Sequence, residues 1–155
     1  MKTERRSVLK KLFASIVGVV GIGMTTKADV APPSPEKEVG KITEFQEAPL
    51  FSSYTKHGNM VYLSGKGAHT APFEIKNHTE IVLKRIEDDL IKAGSSMEKV
   101  LKVNVYLNDF ADYKGMNEVY KGRFGSKPPA RTTVAVAKGG IPGDSIVEMD
   151  VIAYI

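Results

Sequence analysis

The chain has 155 residues, a length that suits one domain with a substantial apolar core. The 22 lysines and arginines and 18 acidic residues give a net charge of +4. Residues 1–28 contain six of the basic residues and one of the acidic residues, so residues 29–155 contain 16 basic and 17 acidic residues. This near-neutral remainder gives no support for a nucleic-acid partner, and the absence of cysteine excludes thiol catalysis and cysteine-ligated metal.

The amino terminus has the features of an export signal. Arg5 and Arg6 form a twin-arginine-like motif, and the apolar run that follows over residues 12–24 is too short to span a bilayer comfortably. Small residues up to Ala28 suit cleavage at that point. We expect residues 1–28 to be removed and the mature protein to be periplasmic after twin-arginine export, and an uncleaved amino-terminal anchor is the alternative.

The segment 29–40 combines prolines with charged residues and has no apolar periodicity. Such a composition favours an extended chain without a packed core. We therefore expect a linker over residues 29–40 and one folded domain over residues 41–155.

The domain begins with β-structure. A short strand is predicted over residues 41–45. Two further β-rich runs, residues 51–56 and 60–64, flank a turn at residues 57–59 and predict a hairpin. His57 lies at the tip of this hairpin, where a solvated turn residue is the favoured interpretation.

The first helix is predicted over residues 78–92. Asn77 is placed as its N-cap with Glu80 three residues on, and Gly94 ends it. Apolar residues recur at a spacing of four on one face: Val82, Ile86 and Leu90. Charged residues fill the opposite face, so the helix should pack one side against a sheet.

A strand and a second helix follow. Alternating apolar residues predict a strand with one buried face over residues 102–107. Asp112 is placed as the cap of a helix over residues 113–124, which Gly125 ends. An aromatic and methionine stripe on this helix is interpreted as core: Tyr113, Met116, Tyr120 and Phe124. Asn117 stands one position from the stripe, where it can face a neighbouring strand or subunit.

The carboxyl-terminal stretch contains two runs rich in β-branched residues, 131–137 and 145–154, separated by glycines and a proline. This pattern predicts a closing hairpin, with Arg131 and Glu148 on paired strands. A cross-strand surface ion pair, worth roughly 0.2–1 kcal/mol, is one interpretation of these two charges. A shared binding site is the other.

The order of elements, with strands before, between and after two helices, predicts an α+β domain whose helices lie on one face of a mixed sheet. The glycines of the loop after residue 64 match neither of the usual nucleotide-binding motifs. His57, His69 and His78 lie on predicted turns or a cap without the spacing of metal ligands. No metal site is therefore expected.

Several short motifs occur in a fixed order along the domain. They are G-N-M-V-Y-L-S-G at residues 58–65, A-G-S-S-M-E-K-V at residues 93–100, N-D-F at residues 108–110, M-N-E-V-Y at residues 116–120, P-A-R at residues 129–131 and V-E-M at residues 147–149. Over about residues 42–155 this series resembles the Rid family, the YjgF-type reactive-intermediate deaminases.

The resemblance implies a chorismate-mutase-like fold and a homotrimer with clefts between subunits. Rid proteins hydrolyse short-lived enamines and imines, such as 2-aminoacrylate, to 2-keto acids and ammonia without a cofactor. By this resemblance, Arg131 would hold the substrate carboxylate through two parallel hydrogen bonds. Glu148 would position and deprotonate the attacking water.

The resemblance also assigns lesser roles and shows departures. Thr133 stands where many relatives carry cysteine, and Asn117 matches a family asparagine near the cleft that either contacts substrate or fixes the helix. Phe51 stands where better-known members place a tyrosine. A hydroxyl that contacts substrate or water is therefore missing, unless Tyr54 supplies it. The last predicted hairpin is two residues longer than usual, and the loop over residues 67–77 is shorter, so substrate identity stays open.

Imine or enamine deamination predicts that Arg131 and Glu148 converge on one pocket, and side chains on opposite faces of the sheet would contradict it. The alternative is a trimeric protein that binds small carboxylates without turnover. Ribonuclease activity, attributed to some Rid relatives, is disfavoured by the near-neutral domain and by the lack of a catalytic histidine pair.

Overall fold

The computed structural model describes residues 34–155. The predicted export signal, residues 1–28, and the first part of the predicted linker, residues 29–33, lie outside the described residues. None of the helices in the described range is both long and apolar enough to cross a membrane.

Eight strands and two α-helices make up the described part of the chain. The strands are β1 (Glu38–Val39), β2 (Ile42–Phe45), β3 (Ala48–Ser52), β4 (Tyr54–His57), β5 (Met60–Lys66), β6 (Val100–Leu107), β7 (Ala130–Ala135) and β8 (Val147–Tyr154). The helices are α1 (Ile75–Lys92) and α2 (Tyr113–Tyr120), and 3₁₀ turns at Met97–Lys99 and Phe110–Asp112 precede β6 and α2.

Six of these strands form one sheet in the order β1-β4-β5-β8-β6-β7, while β2 and β3 form a separate hairpin. The β6–β7 pair is parallel and the other pairs are antiparallel, so the sheet is mixed. A parallel pair needs a crossover connection, which α2 provides between β6 and β7. The predicted α+β class with two helices is confirmed.

The core lies between the helices and one face of the sheet, because alternate strand residues point to that face. The buried residues of β8 are Val147, Met149, Val151 and Ala153, and those of its neighbour β6 are Val100, Val103, Val105 and Leu107. Helix α1 covers them with the predicted apolar face: Val82, Ile86 and Leu90. The predicted burial patterns of the first helix and of the strand after it are thus confirmed.

The predicted closing hairpin is wrong. β7 and β8 do not pair with each other, because β6 lies between them and pairs with both. The connection over residues 136–146 is longer than a tight hairpin turn, and this length lets β8 reach the far side of β6. β-branched composition identifies strands but does not identify their partners.

Two predicted helix boundaries are also wrong. Helix α1 begins at Ile75, and Asn77 lies inside its first turn, where its side-chain nitrogen donates to the carbonyl of Pro72 at 3.1 Å. Helix α2 begins at Tyr113 with Asp112 at the N-cap position, as predicted, although the Asp112 side chain makes no capping hydrogen bond. The helix ends at Tyr120 and not at residue 124. Part of the predicted linker forms β1, which pairs with β4.

His78 is fully buried in α1, so its predicted position at a helix cap is wrong. Its Nδ1 accepts the backbone N–H of Ile146 at 3.3 Å, and its Nε2 lies 3.1 Å from the carbonyl oxygen of Thr70. Because Nδ1 is an acceptor, Nε2 carries the proton and donates to Thr70. These two hydrogen bonds connect α1 to the loop segments at Thr70 and Ile146, so His78 has a structural role.

An ion pair between the sheet and α1 gives a stability prediction. Asp89 Oδ2 lies 2.9 Å from Lys66 Nζ, and the two side chains are only 15% and 11% exposed. We expect Asp89→Asn to lower the free energy of unfolding by about 1–3 kcal/mol, because it leaves a largely buried ammonium without a carboxylate. Urea denaturation at neutral pH measures this change.

The same pair predicts a pH dependence. Burial alone would raise the pKa of Asp89, but hydrogen bonds from Lys66 and Lys92 bring it below the ordinary aspartate value. The stabilisation by the Asp89–Lys66 pair is therefore complete above the ordinary aspartate pKa. It is lost as the pH falls through the lower pKa of Asp89 in the folded state. Asp88→Asn, at an exposed pair with Lys84, is the matched control and should change stability little. Equal effects of the two variants would contradict the prediction.

Candidate functional site

Arg131 is held against helix α2. Its position on β7 pairs directly with Val103 of β6, a fully buried residue of the helix-covered face, so Arg131 projects to that face. Nη1 donates to Asn117 Oδ1 at 2.7 Å, and Nη2 donates to the hydroxyl of Tyr113 at 3.2 Å. The guanidinium carbon lies 4.7 Å from the ring centroid of Tyr120, within the range of a cation–π contact. These contacts fix the orientation of the guanidinium.

Two buried hydroxyls lie on the same side of the sheet as Arg131. Thr133 pairs with Val105, and its Oγ1 is buried without a hydrogen-bond partner in residues 34–155. The Tyr120 hydroxyl is likewise buried without a partner in this range. Burial raises the pKa of Tyr120 to about 12, against a smaller opposing effect of the Arg131 charge, so the phenol stays neutral near pH 7. Both hydroxyls can hydrogen-bond to a bound water or ligand.

Glu148 lies on the opposite face of the sheet. It pairs with Tyr106 of β6, while its chain neighbours Val147 and Met149 are fully buried on the helix-covered face. Its carboxylate lies against Gly65, where a Cβ atom would overlap it. The missing side chain at position 65 thus makes room for the carboxylate of Glu148.

Polar groups surround Glu148 on this uncovered face. Asn104 donates to Asp150 through its side-chain nitrogen at 2.8 Å. Burial raises the pKa of the Tyr106 phenol, and a hydrogen bond with Asp150 and the charges of Asp150 and Glu148 raise it further. Tyr106 is therefore a neutral donor beside two carboxylates.

The prediction that Arg131 and Glu148 lie on paired strands and share a pocket is wrong for a single chain, and their placement on opposite faces meets the condition that contradicts deamination by one chain alone. Strand β6 separates them, and their partners on it, Val103 and Tyr106, point to opposite faces. Because side chains alternate along a strand, positions an odd number of residues apart never share a face of regular sheet. The two groups can meet only if a second copy presents its Glu148 face to the Arg131 of the first.

Phe51 and Tyr54 lie away from the helix α2 contacts. Phe51 is 51% exposed on β3, where it pairs with Thr43. The hydroxyl of Tyr54 donates to the carbonyl of Lys92 at 3.5 Å, at the carboxyl end of α1. Within one chain, the hydroxyl of Tyr54 thus contacts the end of α1, and its role beside Phe51 stays a prediction.

Sequence reasoning missed the roles of two aromatic residues. The sequence predicts Tyr113 and Tyr120 as core residues alone, yet Tyr113 hydrogen-bonds to Arg131 and the ring of Tyr120 lies under its guanidinium. With Asn117 they recur at helical spacing, so all three occupy one face of α2. Asn117, a polar residue one position from the aromatic stripe, is the signal in the sequence.

Comparisons with known proteins agree on one family. The family model described as Endoribonuclease L-PSP matches residues 42–155. A RutC family protein of Pyrococcus abyssi is 37% identical over 110 residues, which cover 67% of this chain and 85% of that protein. A protein of Dermatophagoides farinae named 2-iminobutanoate/2-iminopropanoate deaminase is 30% identical over 128 residues, 79% of this chain and 98% of that protein.

The fold comparison agrees with the sequence comparison. A crystal structure of a YjgF family protein from Neisseria meningitidis matches this chain with a TM-score of 0.70 and 25% identity. The match covers 79% of this chain and 97% of that one. The fold of this chain is therefore that of a YjgF family protein.

Proposed function

This chain belongs to the Endoribonuclease L-PSP family, and on that premise we propose that it hydrolyses reactive imines and enamines of the 2-aminoacrylate type to 2-keto acids and ammonia. The observation that carries the proposal is the guanidinium of Arg131, oriented by Asn117 and Tyr113. The relative from Dermatophagoides farinae, named as an imine deaminase, supports it.

Arg131 binds the substrate through its carboxylate. A guanidinium has five N–H donors, and only two of its nitrogens are engaged by Asn117 and Tyr113. Donors therefore remain for a charge-assisted pair of hydrogen bonds to a carboxylate. Because the guanidinium is already oriented, little side-chain entropy is lost when the substrate binds.

Glu148 activates the water. The carbon of a protonated imine is electrophilic, so water adds to the C=N bond while the carboxylate accepts one of its protons, which gives a neutral carbinolamine. The carbinolamine nitrogen takes that proton, and ammonia then leaves while the hydroxyl gives its own proton to the carboxylate, which forms the C=O bond of the keto acid. An enamine enters the same route after a proton reaches its terminal carbon. This sequence consumes one water and needs no oxidant.

A second copy of the chain completes each site. Arg131 and Glu148 face opposite sides of one sheet, so we assign them to clefts between subunits of a homotrimer. Exposed apolar side chains support association, because the face that carries Glu148 also carries Tyr62 and Val134, which are 44% and 43% exposed. On the β2–β3 hairpin, Phe51 is exposed and available to a neighbouring cleft.

The test is a coupled assay on the full chain. An amino-acid oxidase or a pyridoxal-phosphate lyase generates imines in solution, and keto-acid and ammonia formation are followed with and without the protein. Acceleration supports deamination. If the folded, trimeric protein binds a keto acid but does not accelerate imine hydrolysis, the proposal of deamination is replaced by that of a non-catalytic carboxylate-binding protein.

The family description names an endoribonuclease, but we do not propose RNA cleavage. Of the three histidines, His57 is exposed at the end of β4 and His69 is exposed on a loop, while His78 is buried with both ring nitrogens engaged. Beyond residue 28 the charges nearly balance, at 16 basic and 17 acidic residues. Neither feature favours an RNA substrate.

The contact between Gly65 and Glu148 gives a further prediction. A Cβ at position 65 would overlap the Glu148 carboxylate, so Gly65→Ala should displace the base. We expect kcat to fall by about tenfold to a hundredfold, because a misplaced base loses its alignment with water. Steady-state kinetics in the coupled assay measure the loss.

A double variant separates the site from the fold. In the Gly65→Ala, Glu148→Asp double variant, the shorter acid no longer overlaps the Cβ at position 65. Any loss of thermal stability in Gly65→Ala should therefore be reversed in the double variant, while kcat stays low. An unchanged kcat in Gly65→Ala would show that the position of this carboxylate does not matter.

A further inference from the structure

An aromatic pair lies beside Arg131. The rings of Phe110 and Tyr113 are stacked, with centroids 5.1 Å apart and planes inclined by 14°. The hydroxyl of Tyr113 accepts a hydrogen bond from Arg131, so the pair begins at the guanidinium assigned to the substrate carboxylate. Phe110 forms its outer end and is 59% exposed.

The pair is held in place by its backbone. Phe110 begins the 3₁₀ turn that precedes α2, and Asp109 Oδ1 accepts the backbone N–H of Ala111 at 2.8 Å. Tyr113 is the first residue of α2 and is half-buried against the core. An exposed aromatic ring on such an ordered turn is a preformed apolar surface.

We propose that this pair binds the side chain of aromatic substrates, so that the preferred class is 2-imino acids with an aryl side chain. The inference rests on the proposed deamination at the same site. With the carboxylate on Arg131, an aryl ring can lie against the Phe110–Tyr113 pair, since aromatic rings stack at centroid distances of about 4.5–7 Å. A methyl side chain gains no such contact.

The reaction is the one already described. Water adds to the C=N bond, ammonia leaves, and an aryl 2-keto acid forms. Phe110 and Tyr113 take no part in proton transfer, and they act on substrate choice through contact with the ring. The class of reaction that supplies such a substrate is therefore oxidation or elimination that generates the imine of an aromatic amino acid.

The test compares kcat/KM for imines made in the coupled assay from phenylalanine and from alanine. We expect the wild-type protein to favour the aromatic imine and Phe110→Ala to lower the aromatic-to-small ratio by about three- to tenfold. Phe110→Tyr keeps a flat ring and should keep the ratio. Ile91→Ala removes an apolar side chain that is 61% exposed on α1 and is the matched control.

A binding measurement separates this inference from the proposed function. Calorimetry with phenylpyruvate and pyruvate should show tighter binding of phenylpyruvate, and Phe110→Ala should remove the difference even if no imine is hydrolysed. An aromatic-to-small ratio that Phe110→Ala leaves unchanged overturns the inference while deamination stands. Dissociation of the oligomer by Phe110→Ala also overturns it, since that residue then belongs to a subunit interface.

Discussion

Replacing Arg131 with alanine is expected to lower kcat/KM for imine hydrolysis by roughly a hundredfold or more, because each charge-assisted hydrogen bond to the carboxylate is worth about 1.5–3 kcal/mol and two are lost. Arg131→Lys keeps the charge but loses the planar fork, so it should recover only part of the activity. The coupled assay with alanine-derived and phenylalanine-derived imines measures both variants.

The control for this experiment is Arg123→Ala. Arg123 pairs with Glu80 at the protein surface and lies outside the described contacts of Arg131. It should keep the wild-type rate. Thermal unfolding must show that Arg131→Ala remains folded, because the variant also leaves Asn117 and Tyr113 without their partner. A folded Arg131→Ala protein with wild-type kcat/KM would exclude the carboxylate role.

Glu148→Gln is expected to lower kcat by about a hundredfold to ten-thousandfold, because the amide cannot accept the proton of the attacking water. The side chain keeps its size, so the packing against Gly65 and the fold should be retained. KM should change less than kcat, since Arg131 still holds the carboxylate. Steady-state kinetics of the purified variant give both constants.

Mixing the two inactive variants tests the site between subunits. If each site takes Arg131 from one copy and Glu148 from its neighbour, unfolding and refolding equal amounts of Arg131→Ala and Glu148→Gln together should restore about a quarter of the wild-type sites. If both residues came from one chain, no site would be restored. Native mass spectrometry is the control that shows whether mixed oligomers form. Mixed oligomers that regain no activity would contradict the assignment.

Much of the fold could be predicted from local patterns. The spacing of Val82, Ile86 and Leu90 placed one face of α1 in the core, and the alternation over residues 102–107 identified the buried face of β6. Gly94 follows α1 with a positive φ of 86°, which glycine adopts without strain. These features depend on neighbours within a few residues along the chain.

The candidate site was predictable only in part. The motifs identified Arg131 and Glu148 as the residues to examine, and the helical position of Asn117 was compatible with its hydrogen bond to Arg131. The contacts of Tyr113 and Tyr120 with the guanidinium depend on β7 lying next to α2. That proximity arises from the crossover between β6 and β7, which no local pattern shows.

The sequence by itself determined the class of fold, the buried faces and the family to which the chain belongs, because side-chain periodicity and motif order are local properties. Only the tertiary structure decided that β6 separates β7 from β8 and that Arg131 and Glu148 lie on opposite faces. Strand order and register come from pairing between distant segments, and a shift of one residue reverses the face of every side chain. The proposal of a site shared between copies therefore rests on the sheet register.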